Sequence, residues 1–206
     1  MVKMVIYDCD GVIFDSKRAN FEYYNYILKH FGLSEVNEND YEKVEIIHTY
    51  SNDGVLKKLF PENLHEKAIG FSKSVDYSMF YKYMKMEPYF LETCNELEKR
   101  GIIKTIATNR SRTFPHLFEY FRLNEFIDDY VTVSIVKNPK PAPDMLNHLL
   151  KKYKILPEQA IYVGDAIIDY EASKKAKIFF ISYKTKIPNV PVINNHLDIL
   201  KYLKIS

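Results

Sequence analysis

The sequence predicts an α/β protein: a doubly wound parallel sheet with an α-helical domain inserted after its first strand. Three observations carry this. Five short apolar, β-rich runs, "VKMVIY" (2–7), "IIKTIAT" (102–108), "YVTVS" (130–134), "AIYVG" (160–164) and "KIFFISY" (177–183), read as strands, most of them near-continuous as burial on both faces requires. Helix-like stretches at about 89–100, 112–121, 143–153 and 167–176 alternate with the later runs. Between the first run and the second lie about ninety residues without a good strand.

Taken in order, the first strand ends in "YDCDGVIFDS", which crowds Asp8, Asp10 and Asp15 after an apolar run. Carboxylates that close repel and are costly to desolvate, so the turn is either solvated or built around a cation. Phe21, Tyr24, Leu28 and Phe31 recur at helical spacing, which predicts an amphipathic helix over 17–31. Asp15 and Ser16 precede it as candidate N-caps. "NENDYEKVEIIHTY" and "NDGVLKKLF" read as helical, and "PENLHEKAIGFSKSVDYSMFYKYM" in part, with Gly70 a weak spot. Pro88 marks the expected return to the main domain. The expected organisation is therefore a core of 1–15 and 89–206 with an insert of 16–88. The final "HLDILKYL" reads as a closing amphipathic helix.

Composition narrows the function. The chain is 47% hydrophobic and 27% charged, enough apolar content for a core. A net charge of +2 without a basic stripe argues against a nucleic-acid partner. Lys151, Lys152 and Lys154 read as a solvated helix end. Cys9 and Cys94 are far apart and not in metal-ligand spacing, which fits a reducing cytoplasm. No apolar run approaches the ~20 residues a membrane span requires. "MVKMVIYDCD" turns acidic too soon for a signal peptide.

The remaining polar clusters also follow strands: "TNR" (108–110), "KPAPD" (140–144) and "GDAIID" (164–169). Strand carboxyl ends face one crevice in an open α/β sheet. Asp8, Asp10, Thr108, Asn109, Lys140, Asp165 and Asp169 are thus expected to converge, with a divalent cation offsetting the acids.

The ordered set "DCDG", "TN", "KPAP" and "GDAIID" resembles the haloacid dehalogenase superfamily. The resemblance spans essentially the whole chain and is nearest the phosphoglycolate phosphatase and β-phosphoglucomutase-like branch, with a helical cap on a Rossmann-like core. It implies a magnesium-dependent phosphatase acting on a small phosphorylated metabolite, the phosphoglycolate- or sugar-phosphate-like monoester. Asp8 would be the nucleophile, forming an aspartyl phosphate. Asp10 would protonate the leaving oxygen and then activate water. Asp8 and Asp165 would hold Mg2+ by their carboxylates and Asp10 by its main-chain carbonyl, with Asp169 orienting a ligand or water. Thr108, helped by Asn109, and Lys140 would meet the phosphoryl oxygens. Gly11 would permit the tight backbone after Asp10.

Other positions carry weaker expectations. Arg110 and Arg112 stand near a helix start, where the dipole disfavours cations. An anionic substrate group would explain Arg110; solvated side chains are the competing reading, preferred for Arg112. In the insert, His48, Tyr50, Ser51 and Asn52 lie between helical stretches. His48 and Ser51 are candidate substrate contacts, set against ordinary surface or core roles. Cys9, where the family has a bulky apolar residue, reads as a buried structural thiol. Lys177 replaces the glycine expected in a left-handed helix cap, at a cost of ~1 kcal/mol. A sugar-phosphate mutase is the alternative activity. A non-catalytic phosphate-binding relative would be expected to have lost Asp8 or Asp10. A receiver-type signalling domain would place its phosphorylated aspartate after a later strand.

Overall fold

The computed structural model describes residues 1–111 and 113–204, so Arg112 lies outside the described residues. The chain divides into two compact units, one of Met1–Asp15 with Met86–Ser206 and the other of Ser16–Lys85.

In the first unit the chain forms β1 (Met4–Tyr7) and the two-residue β2 (Phe14–Asp15). The second unit supplies α1 (Lys17–His30), α2 (Tyr41–Thr49), α3 (Asn52–Leu59) and α4 (His65–Ser72), and a 3-10 stretch over Tyr77–Tyr83. β3 (Lys85–Met86) pairs with β2 as a two-stranded ribbon. There follow α5 (Phe90–Glu98), β4 (Ile103–Thr108), α6 (Phe114–Tyr120), β5 (Asp129–Thr132), α7 (Asp144–Tyr153), β6 (Ala160–Gly164), α8 (Ile167–Ala176), β7 (Phe179–Tyr183) and β8 (Val192–Ile193).

The main sheet has the order β5-β4-β1-β6-β7-β8, with every pairing parallel. β1 therefore lies between β4 and β6, where the strand order reverses, and this opens a crevice at the strand carboxyl ends. All four β1 residues are buried, as the continuous apolar run requires. One sheet face packs Met4, Ile6 and Tyr162 with Met145, Leu146, Leu149 and Leu150 of α7 and Ala172 and Ala176 of α8. α5 buries Phe90, Thr93, Cys94 and Leu97, one stripe at helical spacing.

Three local expectations are corrected. β8 was not foreseen as a strand, because two residues give no periodicity. The predicted strand over 130–134 is shifted to Asp129–Thr132. The closing segment is a 3-10 helix over His196–Tyr202 rather than an α-helix. His196 and Ile199, three apart, are both buried, and three residues per turn stack such positions on one face. The His196 ring packs on Tyr183, with centroids 4.5 Å apart, and its Nε2 meets the Val12 carbonyl at 2.9 Å.

In the second unit, α1 buries Phe21, Tyr23, Tyr24, Ile27 and Leu28, and Tyr23 meets Phe80 edge-on at 5.7 Å. The Asn25 amide pins the following loop: Nδ2 donates to the Val36 carbonyl (3.1 Å) and Oδ1 accepts from its N–H (2.7 Å). Ser16 is the N-cap residue of α1, but its side chain makes no capping hydrogen bond. Lys177 does take the left-handed conformation at the end of α8, with φ 59°.

Candidate active site

β1 delivers Asp8 directly: its N–H donates to Val163 of β6 at 2.8 Å, so the side chain emerges at the sheet's carboxyl edge. The chain then folds back tightly. Gly11 N–H donates to the Phe14 carbonyl at 2.8 Å, and Ile13 N–H to Cys9 at 2.9 Å. Gly11 holds φ 75°, and a Cβ there would lie 2.0 Å from Asp165 Oδ2. This position needs glycine for backbone freedom and for space. Gly164 is equally constrained, because an added Cβ would sit 2.4 Å from the Asp169 Cβ.

Lys140 is the hub. Its ammonium donates to Asp8 Oδ1 (2.6 Å), Asp169 Oδ1 (2.7 Å) and the Tyr162 hydroxyl (3.0 Å). Tyr162 in turn donates to Asp169 Oδ1 at 2.7 Å, while Asp169 Oδ2 accepts from the Ala166 N–H at 3.1 Å. The Lys140 main chain is held by Asn109, whose Oδ1 accepts from its N–H (2.9 Å) and whose Nδ2 donates to its carbonyl (3.2 Å). Thr108 Oγ1 accepts from the Arg110 N–H at 3.1 Å, which leaves the hydroxyl proton uncommitted by that bond.

Oxygens of Asp8, Asp165 and Asp169 lie within 4.8 Å of one another. Burial pushes Asp8 up to about 8; Lys140 opposes this, and Asp169 and Asp165 add to it. Burial, followed by Asp169, pushes Asp165 up to about 7. Burial works against the charge on Lys140, but Asp169 and Asp8 outweigh it and raise its pKa above the ordinary lysine value. One ammonium thus faces three carboxylates in a buried, all-oxygen cluster. A hard divalent cation fits that donor set and its charge deficit.

The structure brings Asp8, Lys140, Asp165 and Asp169 together, with Thr108 at the end of β4 and Asp10, Gly11 and Asn109 on the flanking loops. Two expectations change in detail. Asn109 is turned to the Lys140 backbone, because the amide matches a peptide N–H and C=O together. Arg110, for which a substrate anion and solvation were the competing readings, has a protein partner: it grips the Asp10 carboxylate through Nε and a terminal nitrogen, both at 2.7 Å. His48 and Ser51 belong to the second unit. His48 is exposed in the last turn of α2, and Ser51 caps α3 by accepting from the Gly54 N–H at 3.3 Å. Cys9 is fully buried and unpaired, as a structural thiol should be. Sequence reasoning missed Tyr162, whose only signal was a phenol inside an otherwise apolar strand.

A parallel α/β sheet with acids at the ends of β1 and β6 and a lysine hub defines a class of hydrolase. The family model of haloacid dehalogenase-like hydrolases matches residues 5–183, and the chain belongs to that family. It is 26% identical over 183 residues to the phosphoglycolate phosphatase of Vibrio cholerae, covering 85% of this chain and 81% of that one. It is 25% identical over 187 residues to the pyrophosphatase PpaX of Bacillus velezensis, covering 85% and 80%. The crystal structure of a subfamily IA hydrolase of the same superfamily from Geobacter sulfurreducens superposes with a TM-score of 0.89 at 33% identity, covering 98% and 96%. Among the described residues, no helix is long and apolar enough to cross a membrane.

Proposed function

We propose that this hydrolase is a magnesium-dependent cytoplasmic phosphatase acting on a small phosphorylated metabolite through an aspartyl phosphate on Asp8. The observation that carries the reading is the grouping of buried Asp8, Lys140 and Asp169 with half-buried Asp165, with Asp10 two residues beyond Asp8. The names of the relatives, a phosphoglycolate phosphatase and a pyrophosphatase, support phosphoryl chemistry. Two buried free cysteines support a reducing compartment.

An Asp8 oxygen attacks phosphorus as the bond to the leaving oxygen breaks, and Asp10 gives that oxygen a proton. Asp10 then takes a proton from the water that attacks the aspartyl phosphate, releasing inorganic phosphate and restoring Asp8. Lys140 and the Thr108 hydroxyl meet the phosphoryl oxygens. Asp8 and Asp165 would hold Mg2+ by their carboxylates and Asp10 by its main-chain carbonyl, with Asp169 orienting a ligand or bound water. When bound, the ion keeps the carboxylates ionised and offsets phosphoryl charge. The substrate class is a phosphoglycolate- or sugar-phosphate-like monoester.

A panel of phosphorylated metabolites, assayed for phosphate release with Mg2+ and with EDTA, tests this. Turnover should require the metal and vanish in Asp8→Asn. Near-normal activity in that variant, or indifference to EDTA, would overturn the mechanism.

A further inference from the structure

We propose that Tyr162 is a positioning residue for this reaction: its buried hydroxyl, together with Asp169, holds the Lys140 ammonium so that one N–H is aimed at Asp8. The inference rests on the phosphatase reading, in which Lys140 serves the nucleophile and the phosphoryl group.

An ammonium has three protons to give. In this site all three have a partner: Asp169 Oδ1, the Tyr162 hydroxyl and Asp8 Oδ1. Two of these partners are bonded to each other, because Tyr162 donates to the same Asp169 oxygen at 2.7 Å. Lys140, Tyr162 and Asp169 thus close a triangle that does not include the nucleophile. With two donors fixed in that triangle, the third can point in one direction only, and Asp8 stands there. Asp169 alone would anchor the ammonium through one hydrogen bond and leave the proton that now meets Tyr162 without an acceptor.

Tyr162 is built for this task. It lies in β6, in register with Ile6 of β1, and is fully buried on the face shared with α7 and α8. Its ring packs beside Phe180, with centroids 5.8 Å apart. The apolar body is anchored in the core, and only the polar tip reaches the site, so the hydroxyl cannot wander. A wholly apolar side chain would fill the same space and leave an ammonium proton and a carboxylate lone pair unanswered.

Tyr162→Phe removes only the hydroxyl. With p-nitrophenyl phosphate and saturating Mg2+, kcat should fall about tenfold, KM should move less than about twofold, and the melting temperature should stay near wild type. A packing role alone would leave that split absent. A second readout uses the unaltered protein. In 15N–1H spectra of the lysine ammonium groups, Lys140, assigned by its loss in Lys140→Arg, should give a slowly exchanging signal, and Tyr162→Phe should abolish it. Wild-type kcat in Tyr162→Phe overturns the proposal, and so does a Lys140 signal that exchanges like that of a surface lysine. Absence of wild-type turnover on any phosphomonoester would instead sink the phosphatase reading, while the spectra still report on the triangle.

Discussion

Arg110 holds Asp10 in a two-pronged grip, Nε to Oδ2 and a terminal nitrogen to Oδ1, each at 2.7 Å. The guanidinium side chain is 11% exposed and the carboxylate 36%, so the pair is half-buried and only partly screened by solvent. Two parallel bonds fix the plane of the carboxylate as well as its position. Arg110→Met should therefore cost about ten- to a hundredfold in kcat, with a smaller change in KM, measured on a generic aryl phosphate. Arg110→Lys keeps the charge but loses the fork, and should recover only part of that loss.

The raised carboxylates predict a pH signature. Asp8 at about 8 and Asp165 at about 7 bind protons more tightly folded than unfolded. Their contribution to stability is complete below the ordinary carboxylate range and is lost progressively as pH rises to those values. In EDTA, the melting temperature should fall between pH about 4 and about 8, and Mg2+ should restore it most at the alkaline end. Apparent Mg2+ affinity should rise over the same window. Asp8→Asn removes one of the two groups and should flatten the EDTA curve; an unchanged slope would show that Asp8 is not responsible.

Gly11 and Asp165 share one small space. Gly11→Ala adds a methyl group 2.0 Å from Asp165 Oδ2 at a backbone φ of 75°. Destabilisation of about 1–3 kcal/mol is expected, with weakened Mg2+ affinity, because the carboxylate must move. Denaturant melts and a Mg2+ titration on the same sample check both effects.

Hydrolysis is expected over mutase activity. A mutase binds a bisphosphate and needs a cation in the insert for its non-reacting phosphate. Arginine suits that role best, and the insert's one arginine, Arg18, is tied to Glu22 at 2.5 Å and to Glu38, while Lys57 and Lys58 stand exposed in the last turn of α3. Incubation with glucose 1-phosphate and a trace of the bisphosphate should release inorganic phosphate. Rapid conversion to glucose 6-phosphate with little phosphate released would establish the mutase instead.

Much of the core and its acids was legible because the signals are local. β1 and β6 are continuous apolar runs and β4 a largely apolar one broken by Lys104 and Thr105, and each is followed at once by a polar cluster. Partnerships were harder to read. Arg110 and Asp10 are 100 residues apart, and nothing near either names the other. Tyr162 reads as one more strand aromatic, because the reason for its hydroxyl, Lys140, comes from another loop. Short or tight elements also escaped: β8 has two residues, and the 3-10 geometry over His196–Tyr202 follows from burial, which the periodicity of so short a segment does not reveal.

The strand that bears Asp8 is made long before either of its neighbours. β1 lies between β4 and β6, so its second edge stays bare until Ala160–Gly164 has been made. The loop beyond Asp8 waits longer, because His196, which holds the Val12 carbonyl, lies 184 positions downstream. A nascent chain paused between those points exposes an apolar strand edge of the kind that templates aggregation and that holdase chaperones shield. Chain order thus assembles the site only after β6 and the loop beyond it have been made, and a chain terminated before Asp165 is left with an acid cluster that never closes.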